Sequence, residues 1–450
     1  MRLFYVPGRS VAFGFLASIF GCAPATQTTT QTAVLQPRVL PLTAPDACCF
    51  RQGLEIAERH RLDVIEQRRF TANEYWGAVS GALESKRFRM EEIGRSVQGR
   101  PLTAIHVGSG PVKVLAWSQM HGDESAASMG LLDVITWLAD SGRDPVRDRL
   151  LGSITLTLVP VLNPDGAELF QRHNALGVDI NRDARRLATP EARALKGLHD
   201  RLKPDFGFNL HDQNARTLAG PDGKQVGIAL LAPATSEDRS YNEVRARARL
   251  VAARIATNLA REIPGQVAKY DDAFNPRAFG DLVQAWGTST VLIESGALAG
   301  DPQKQRLREL NAAALIDALV AIGEGTYASA DRSAYDSLPF NRSIALDVIV
   351  RGAKVIGLGP EAYDLDLGLV FGDAVARTAP RVSEVGDLSA AAALDTVDAT
   401  GLFLHPAPEM ITTQDGRRWL RIGNPAVFML RRGEDPSSEA VVTLVTPKAP

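Results

Sequence analysis

A chain of 450 residues, 45% hydrophobic and 23% charged, is long enough for a large core and two domains. A formal net charge of -2 and the lack of a basic tract argue against a nucleic-acid partner. The three cysteines, Cys22, Cys48 and Cys49, make no CxxC pair, which argues against a thiolate zinc site.

The N-terminus reads as a processing segment. Arg2 and Arg9 give it a basic start, and residues 11–20 (VAFGFLASIF) form an apolar run too short to span a membrane but suited to a signal peptide. The run ends at Ile19-Phe20-Gly21-Cys22. This resembles a bacterial lipoprotein box, which implies that Cys22 is lipidated and becomes the mature N-terminus. Residues 1–22 are then a lipoprotein-type signal peptide, with a plain secretory signal cleaved near Ala23 or Ala25 as the alternative. Either form implies an exported chain; the lipidated form is expected in the cell envelope of a bacterium, facing the periplasm and touching the membrane only through its N-terminal lipid. Residues 23–45, rich in Thr, Gln and Pro, read as a flexible tether.

Helical spacing follows loosely over residues 46–67, and Thr71-Ala72-Asn73-Glu74 fits a capping box that opens a helix over 72–85. Strand patterns cover residues 88–93, 101–107 and 112–118, then a helix is expected at 125–139 and a strand at 153–162. A helix at 191–202 precedes a short strand at 206–210. Strands at 226–232 and 290–293 are separated by a helix near 241–262, and a long helix closes the region at 302–322. Strands alternating with helices predict an α/β domain over 46–325, with a mixed, largely parallel sheet flanked by helices. After residue 325 the pattern changes to short β runs with Gly turns, so 337–450 is expected to be a small β-sandwich-like accessory domain.

The chemistry concentrates at strand ends. His121-Gly122-Asp123-Glu124 follows the apolar run at 112–117, His211 follows 206–210, and Glu294 follows 290–293. Two histidines and a glutamate are a recurrent ligand set for a catalytic zinc that keeps an open position. A glutamate at the end of an apolar strand costs energy unless it is paired or has a task, and Glu294 suits a general base with a raised pKa. Asn181-Arg182 sets an amide beside a guanidinium, able to hold a carboxylate. Arg172 suits an oxyanion, although a solvated helix face explains it equally.

These pieces, with Gly94-Arg95-Ser96, Gly99-Arg100-Pro101-Leu102 and Asn163-Pro164-Asp165-Gly166 between them, resemble the zinc metallocarboxypeptidases of the carboxypeptidase A/B type in identity and order. The resemblance covers residues 70–322. It implies one Zn2+ held by His121, Glu124 and His211. It implies that Asn181 and Arg182 bind the substrate's terminal carboxylate, that Arg172 polarises the scissile carbonyl, and that Glu294 is general base and acid. The family usually carries a tyrosine in the loop before the catalytic glutamate. Residues 271–293 contain none; Tyr270 is the nearest, and Arg277 or Phe279 could take its place. The expected function is hydrolysis of peptide bonds next to a free C-terminus. The alternatives are an amidase of murein peptides or of N-acyl amino acids on the same zinc, and a non-catalytic envelope binding lipoprotein.

The C-terminal runs at 347–356, 366–369, 385–388 and 398–403 resemble the small β-sandwich that flanks amidohydrolase barrels. The His-x-His of those barrels is missing and His405 stands alone, so an accessory role is implied rather than a second metal centre.

Overall fold

Val114 and Ala116 point to one side of the strand Val112–Ser118, Leu115 and Trp117 to the other, and all four are buried. A strand buried on both faces needs a layer of helices on each. The first pair enters a core with the helices Ala126–Ala139, Glu243–Glu262 and Gln305–Glu324, the second a core with Pro190–Leu202 and Phe279–Ala285.

The computed structural model describes residues 50–221 and 223–444. The expectations for residues 1–45, Cys22 included, lie outside them. No helix among the described residues is long and apolar enough to cross a membrane.

In chain order, the helices are α1 (Phe50–Arg59), α2 (Ala72–Leu83), α3 (Ala126–Ala139), α4 (Pro145–Ser153), α5 (Pro164–Leu169), α6 (Pro190–Leu202), α7 (Glu243–Glu262), α8 (Phe279–Ala285), α9 (Gln305–Glu324) and α10 (Ser333–Asp336). The strands of the first part are β1 (Arg89–Arg95), β2 (Pro101–Gly108), β3 (Val112–Ser118), β4 (Ile154–Val159), β5 (Phe206–Asp212), β6 (Thr217–Ala219), β7 (Ile228–Leu231), β8 (Val267–Lys269) and β9 (Ser289–Ser295). Eight of these strands form one sheet in the order β1-β2-β4-β3-β5-β9-β7-β8. Its centre, β4-β3-β5-β9, is parallel throughout, while β1, β2 and the β7–β9 pairing are antiparallel. This is the mixed, largely parallel sheet expected from the sequence.

The later strands are β10 (Asn341–Ser343), β11 (Leu346–Val355), β12 (Tyr363–Asp373), β13 (Thr378–Gly386), β14 (Ala393–Asp398), β15 (Phe403–Pro406), β16 (Ile411–Gln414), β17 (Arg417–Leu420), β18 (Phe428–Arg431) and β19 (Ala440–Leu444). A sheet in the order β13-β12-β11-β15-β18-β19, with β14 beside β11, packs with the β16–β17 hairpin around Val350, Leu367, Leu404, Met410 and Leu420. Asp366, one of the residues in the C-terminal resemblance, accepts bonds from the Gly352 and Leu388 amides and so ties two turns together.

The helix expected over 46–67 stops at Arg59. The backbone beyond it is captured by side chains of other helices: Arg308 donates to the Leu62 and Ile65 carbonyls, and Asp133 accepts from the Leu62 amide. Those partners replace the helical ladder. The Thr71 capping box forms with both of its bonds. Strand β10 belongs by sequence to the accessory region, yet it pairs with β6 of the first part.

Candidate active site

Parallel neighbours bring their carboxyl ends to one edge of a sheet, and the crevice there collects functional groups. Strand β5 pairs with both β3 and β9, in a register that puts His211 directly beside Glu294. His121 lies just past β3. The chain leaves β3 through Gln119, a non-glycine residue at φ 49°, which turns it sharply back. Gln119 Nε2 then donates to the Gly122 carbonyl at 3.0 Å. Gly122 packs on the start of α5 so closely that a Cβ there would lie 2.0 Å from the Gly166 carbonyl carbon. The Asn163-Pro164-Asp165-Gly166 motif therefore supplies a platform for the His121 turn: Asn163 caps α5 through the Gly166 amide, and Asp165 ties in Ser96 and Arg100 from the β1–β2 connection.

His121, Glu124 and His211 converge, with one donor atom from each within 4.8 Å of the others. Glu124 spans the two histidines, Oε1 at 2.7 Å from His121 Nδ1 and Oε2 at 2.7 Å from His211 Nδ1. The two Nδ1 atoms are 3.2 Å apart. Tetrahedral zinc with imidazole nitrogens at roughly 2.0–2.1 Å sets two such nitrogens about 3.3 Å apart, so spacing and donor chemistry both fit one zinc ion. The far nitrogen of His121 meets Asp179 Oδ1 at 2.9 Å, the carboxylate–imidazole contact that orients a metal-binding histidine. Burial disfavours the His121 cation, but the Glu124 carboxylate and the Asp179 bond outweigh it and raise the imidazole to about 9. Burial likewise opposes ionisation of Glu124, and the two histidines overcome it, holding its carboxyl well below the usual range.

Glu294 faces the same cleft. Burial, then the nearby Glu124 and Asp212 carboxylates, push its carboxyl well above the ordinary value, as a proton acceptor near neutral pH requires. Asp212 is itself paired with the buried Lys304 ammonium at 2.9 Å. Arg172 is brought fully into the cluster: Nη1 lies 3.1 Å from Glu124 Oε1, while Nε and Nη2 hold Asp179 at 3.1 and 2.9 Å. The solvated-face reading of Arg172 is thus replaced by a half-buried guanidinium paired with Glu124 and Asp179. Arg182 is exposed, lines the cleft, and donates to the Asn181 carbonyl at 2.7 Å. The Asn181 side chain is largely engaged, its Oδ1 accepting from the Phe279 amide at 2.8 Å and its Nδ2 3.5 Å from His211 Nε2.

The structure separates the three candidates for the missing tyrosine. Phe279 is fully buried in the core between sheet and α8. Arg277 does not line the cleft, whereas Tyr270 does. The Glu294 carboxylate, followed by burial, raises the Tyr270 hydroxyl to about 12. Sequence reasoning also passed over two carboxylates, Asp179 and Asp281. Asp281 lines the cleft, accepts the Asn275 amide at 2.9 Å, and is raised by burial to about 6. Its signal in the sequence was an acid within the apolar start of α8.

Fold and site together place a three-donor cluster suited to one zinc ion at the carboxyl edge of an α/β sheet. Comparison with known proteins is consistent with this: residues 76–225 match the zinc carboxypeptidase family. Carboxypeptidase SOL1 of Arabidopsis thaliana is 36% identical over 106 residues, 22% of each chain. Mouse carboxypeptidase M is 34% identical over 113 residues, 21% of this chain and 25% of its own. The chain thus aligns with about a quarter or less of the length of these relatives. Among solved structures, a metallo-carboxypeptidase from Burkholderia cenocepacia superposes with a TM-score of 0.46 at 22% identity, over 56% of this chain and 69% of that one.

Proposed function

We propose that this chain is a zinc-dependent metallocarboxypeptidase that hydrolyses the peptide bond next to a free C-terminal carboxylate. The observation that carries the reading is the meeting of His121, Glu124 and His211 with Glu294 in one cleft that also contains Arg182. Zinc held by the first three would supply a Lewis acid and an acidified water.

Arg182 anchors the terminal carboxylate, its exposed guanidinium able to make a two-pronged contact beside the bond that Nη1 gives to the Asn181 carbonyl. Asn181 holds α8 against the anchor and steadies His211 more than it binds substrate. Glu294 takes the proton from the attacking water; its raised affinity for protons suits both this step and the later return of the proton to the leaving amine nitrogen. Arg172, already inside the cluster, offers N–H donors to the developing oxyanion. Tyr270 closes the cleft over the substrate. Asp281 supports a preference for Lys or Arg as the residue released, because it is a cleft carboxylate with no ion-pair partner among the described residues.

Purified protein should contain one zinc per chain and release C-terminal residues from free but not amidated peptides. Glu294→Gln should retain the zinc and lose turnover by a factor on the order of 10²–10⁴, since it removes an acid–base group and no ligand. Full-rate cleavage of amidated peptides, or of muropeptides in preference to both, would move the assignment to an amidase.

We further propose that the chain is exported and lipid-anchored at Cys22, on the strength of the basic start, the apolar run and the cysteine at its end. Wild-type protein should partition with membranes and Cys22→Ser should not. Equal partitioning of the two sinks the anchor.

A further inference from the structure

The C-terminal part is built into the wall of the cleft. Val375, in the β12–β13 turn, and Asn341 and Ser343 of β10 line it together with Arg68 and Gln213. Three ties hold them there. Strand β10 runs antiparallel to β6, Asn341 opposite Ala219 and Ser343 opposite Thr217. Asn341 Nδ2 donates at 3.1 Å to the side chain of Gln213, two residues beyond His211. Arg68 pairs with Asp373 Oδ2, while Asp373 Oδ1 accepts the Val375 and Ala376 amides at 3.0 Å each. The Arg68 pair therefore fixes the turn itself, and the guanidinium is braced in addition by the Phe170 ring 5.5 Å away.

We propose that this wall is the subsite for peptide residues N-terminal to the scissile bond, and that the β12–β13 turn limits how long a substrate enters. The inference rests on the carboxypeptidase reading above. Arg182 and Asp281 account for the C-terminal residue, and Glu294 with the metal donors marks the reacting carbonyl. Among the cleft residues left for the preceding positions, Arg68, Gln213, Asn341, Ser343 and Val375 form the side built by or tied to the C-terminal part. The chemistry of these five is amide, hydroxyl and the apolar Val375, and the Arg68 cation among them is paired with Asp373, so this side reads backbone groups and length in preference to side-chain charge. The cleft holds about 560 Å³, within the range of small-ligand sites and suited to the end of a short peptide.

Two variants push the wall in opposite directions. Val375→Trp narrows it, and Arg68→Ala frees the turn. Each is assayed on an N-acyl dipeptide and on a hexapeptide ending in the same two residues. The readout is the hexapeptide-to-dipeptide ratio of kcat/KM, with zinc content checked in parallel. Val375→Trp should lower that ratio about tenfold and Arg68→Ala should raise it several-fold, through KM more than kcat. A ratio unchanged in both variants overturns the proposal. So does an equal loss on both peptides, which is what loosening the His211 loop would produce. A wild-type protein that cleaves neither peptide instead removes the carboxypeptidase reading, and this inference with it.

Discussion

Asp281 shows how one buried side chain can carry specificity. Its carboxyl is raised to about 6 because burial opposes the charged form, with the Asn275 amide and the Arg182 charge offsetting only part of this. Below that pH the group is neutral and offers a cationic side chain nothing. Above it the charge is present. For peptides ending in Lys or Arg, KM relative to an Ala-ended peptide should therefore fall as pH rises through about 6, and Asp281→Asn should flatten that dependence. Taking the ratio removes the contribution of Glu294, which acts on both substrates. A ratio independent of pH in the wild type would place the released side chain away from Asp281. His121 and Asp179 show a residue-scale effect of a different kind. The pair was adjacent to motifs plain in the sequence, but its 2.9 Å contact depends on a loop 58 residues away.

At the scale of elements, the site depends on backbone fit more than on hydrophobic pattern. Gly122 lets the His121 turn lie directly on α5, and Gly166 leaves room there for the Asn163 side chain and the His173 carbonyl. An alanine at 122 forces the turn off its platform and moves His121 relative to Glu124. Gly122→Ala should weaken zinc binding by roughly 10–100-fold, the range seen when support of a metal ligand is lost. Gly77→Ala is the control: nothing lies within 4 Å of a Cβ there, in the middle of α2. It should leave zinc affinity alone and raise stability by about 1 kcal/mol. Zinc titration and urea unfolding of both variants check this, and unaltered zinc affinity in Gly122→Ala would show that the turn has slack. The helix that ends at Arg59 follows the same logic of backbone partners. Arg308 and Asp133 form a buried bidentate pair that joins α9 to α3, and that pair also takes up the backbone of residues 62–65.

Across the whole molecule, the C-terminal sheet is joined to the first part by more than chain connectivity. Arg216, just after the β5 end that carries His211, donates to the fully buried Asp347 at 2.8 Å and to the Phe371 carbonyl at 2.7 Å. Removing one partner of a buried pair leaves an uncompensated charge, so Arg216→Ala should cost about 3–5 kcal/mol, read from the shift in the urea transition. Replacing both, Arg216→Met with Asp347→Leu, should recover most of that loss. A loss under about 1 kcal/mol in the single variant would mean that water reaches Asp347.

The sequence alone determined the layer order of the first part and the identity of the site. Strand and helix periods are local, and so is the rule that functional side chains follow buried strands, which is why His121, His211 and Glu294 were legible one by one. The end of α1, the cleft position of Tyr270, the orienting role of Asp179 and the place of β10 were decided only by tertiary structure. Each depends on a partner distant in the chain: Arg308 for the loop after α1, the Leu230 carbonyl for Tyr270, His121 for Asp179, and β6 for β10. A side chain's own neighbours in sequence set its propensity, but only the packed fold sets which charge or backbone group it meets, and in a buried site that meeting decides its role.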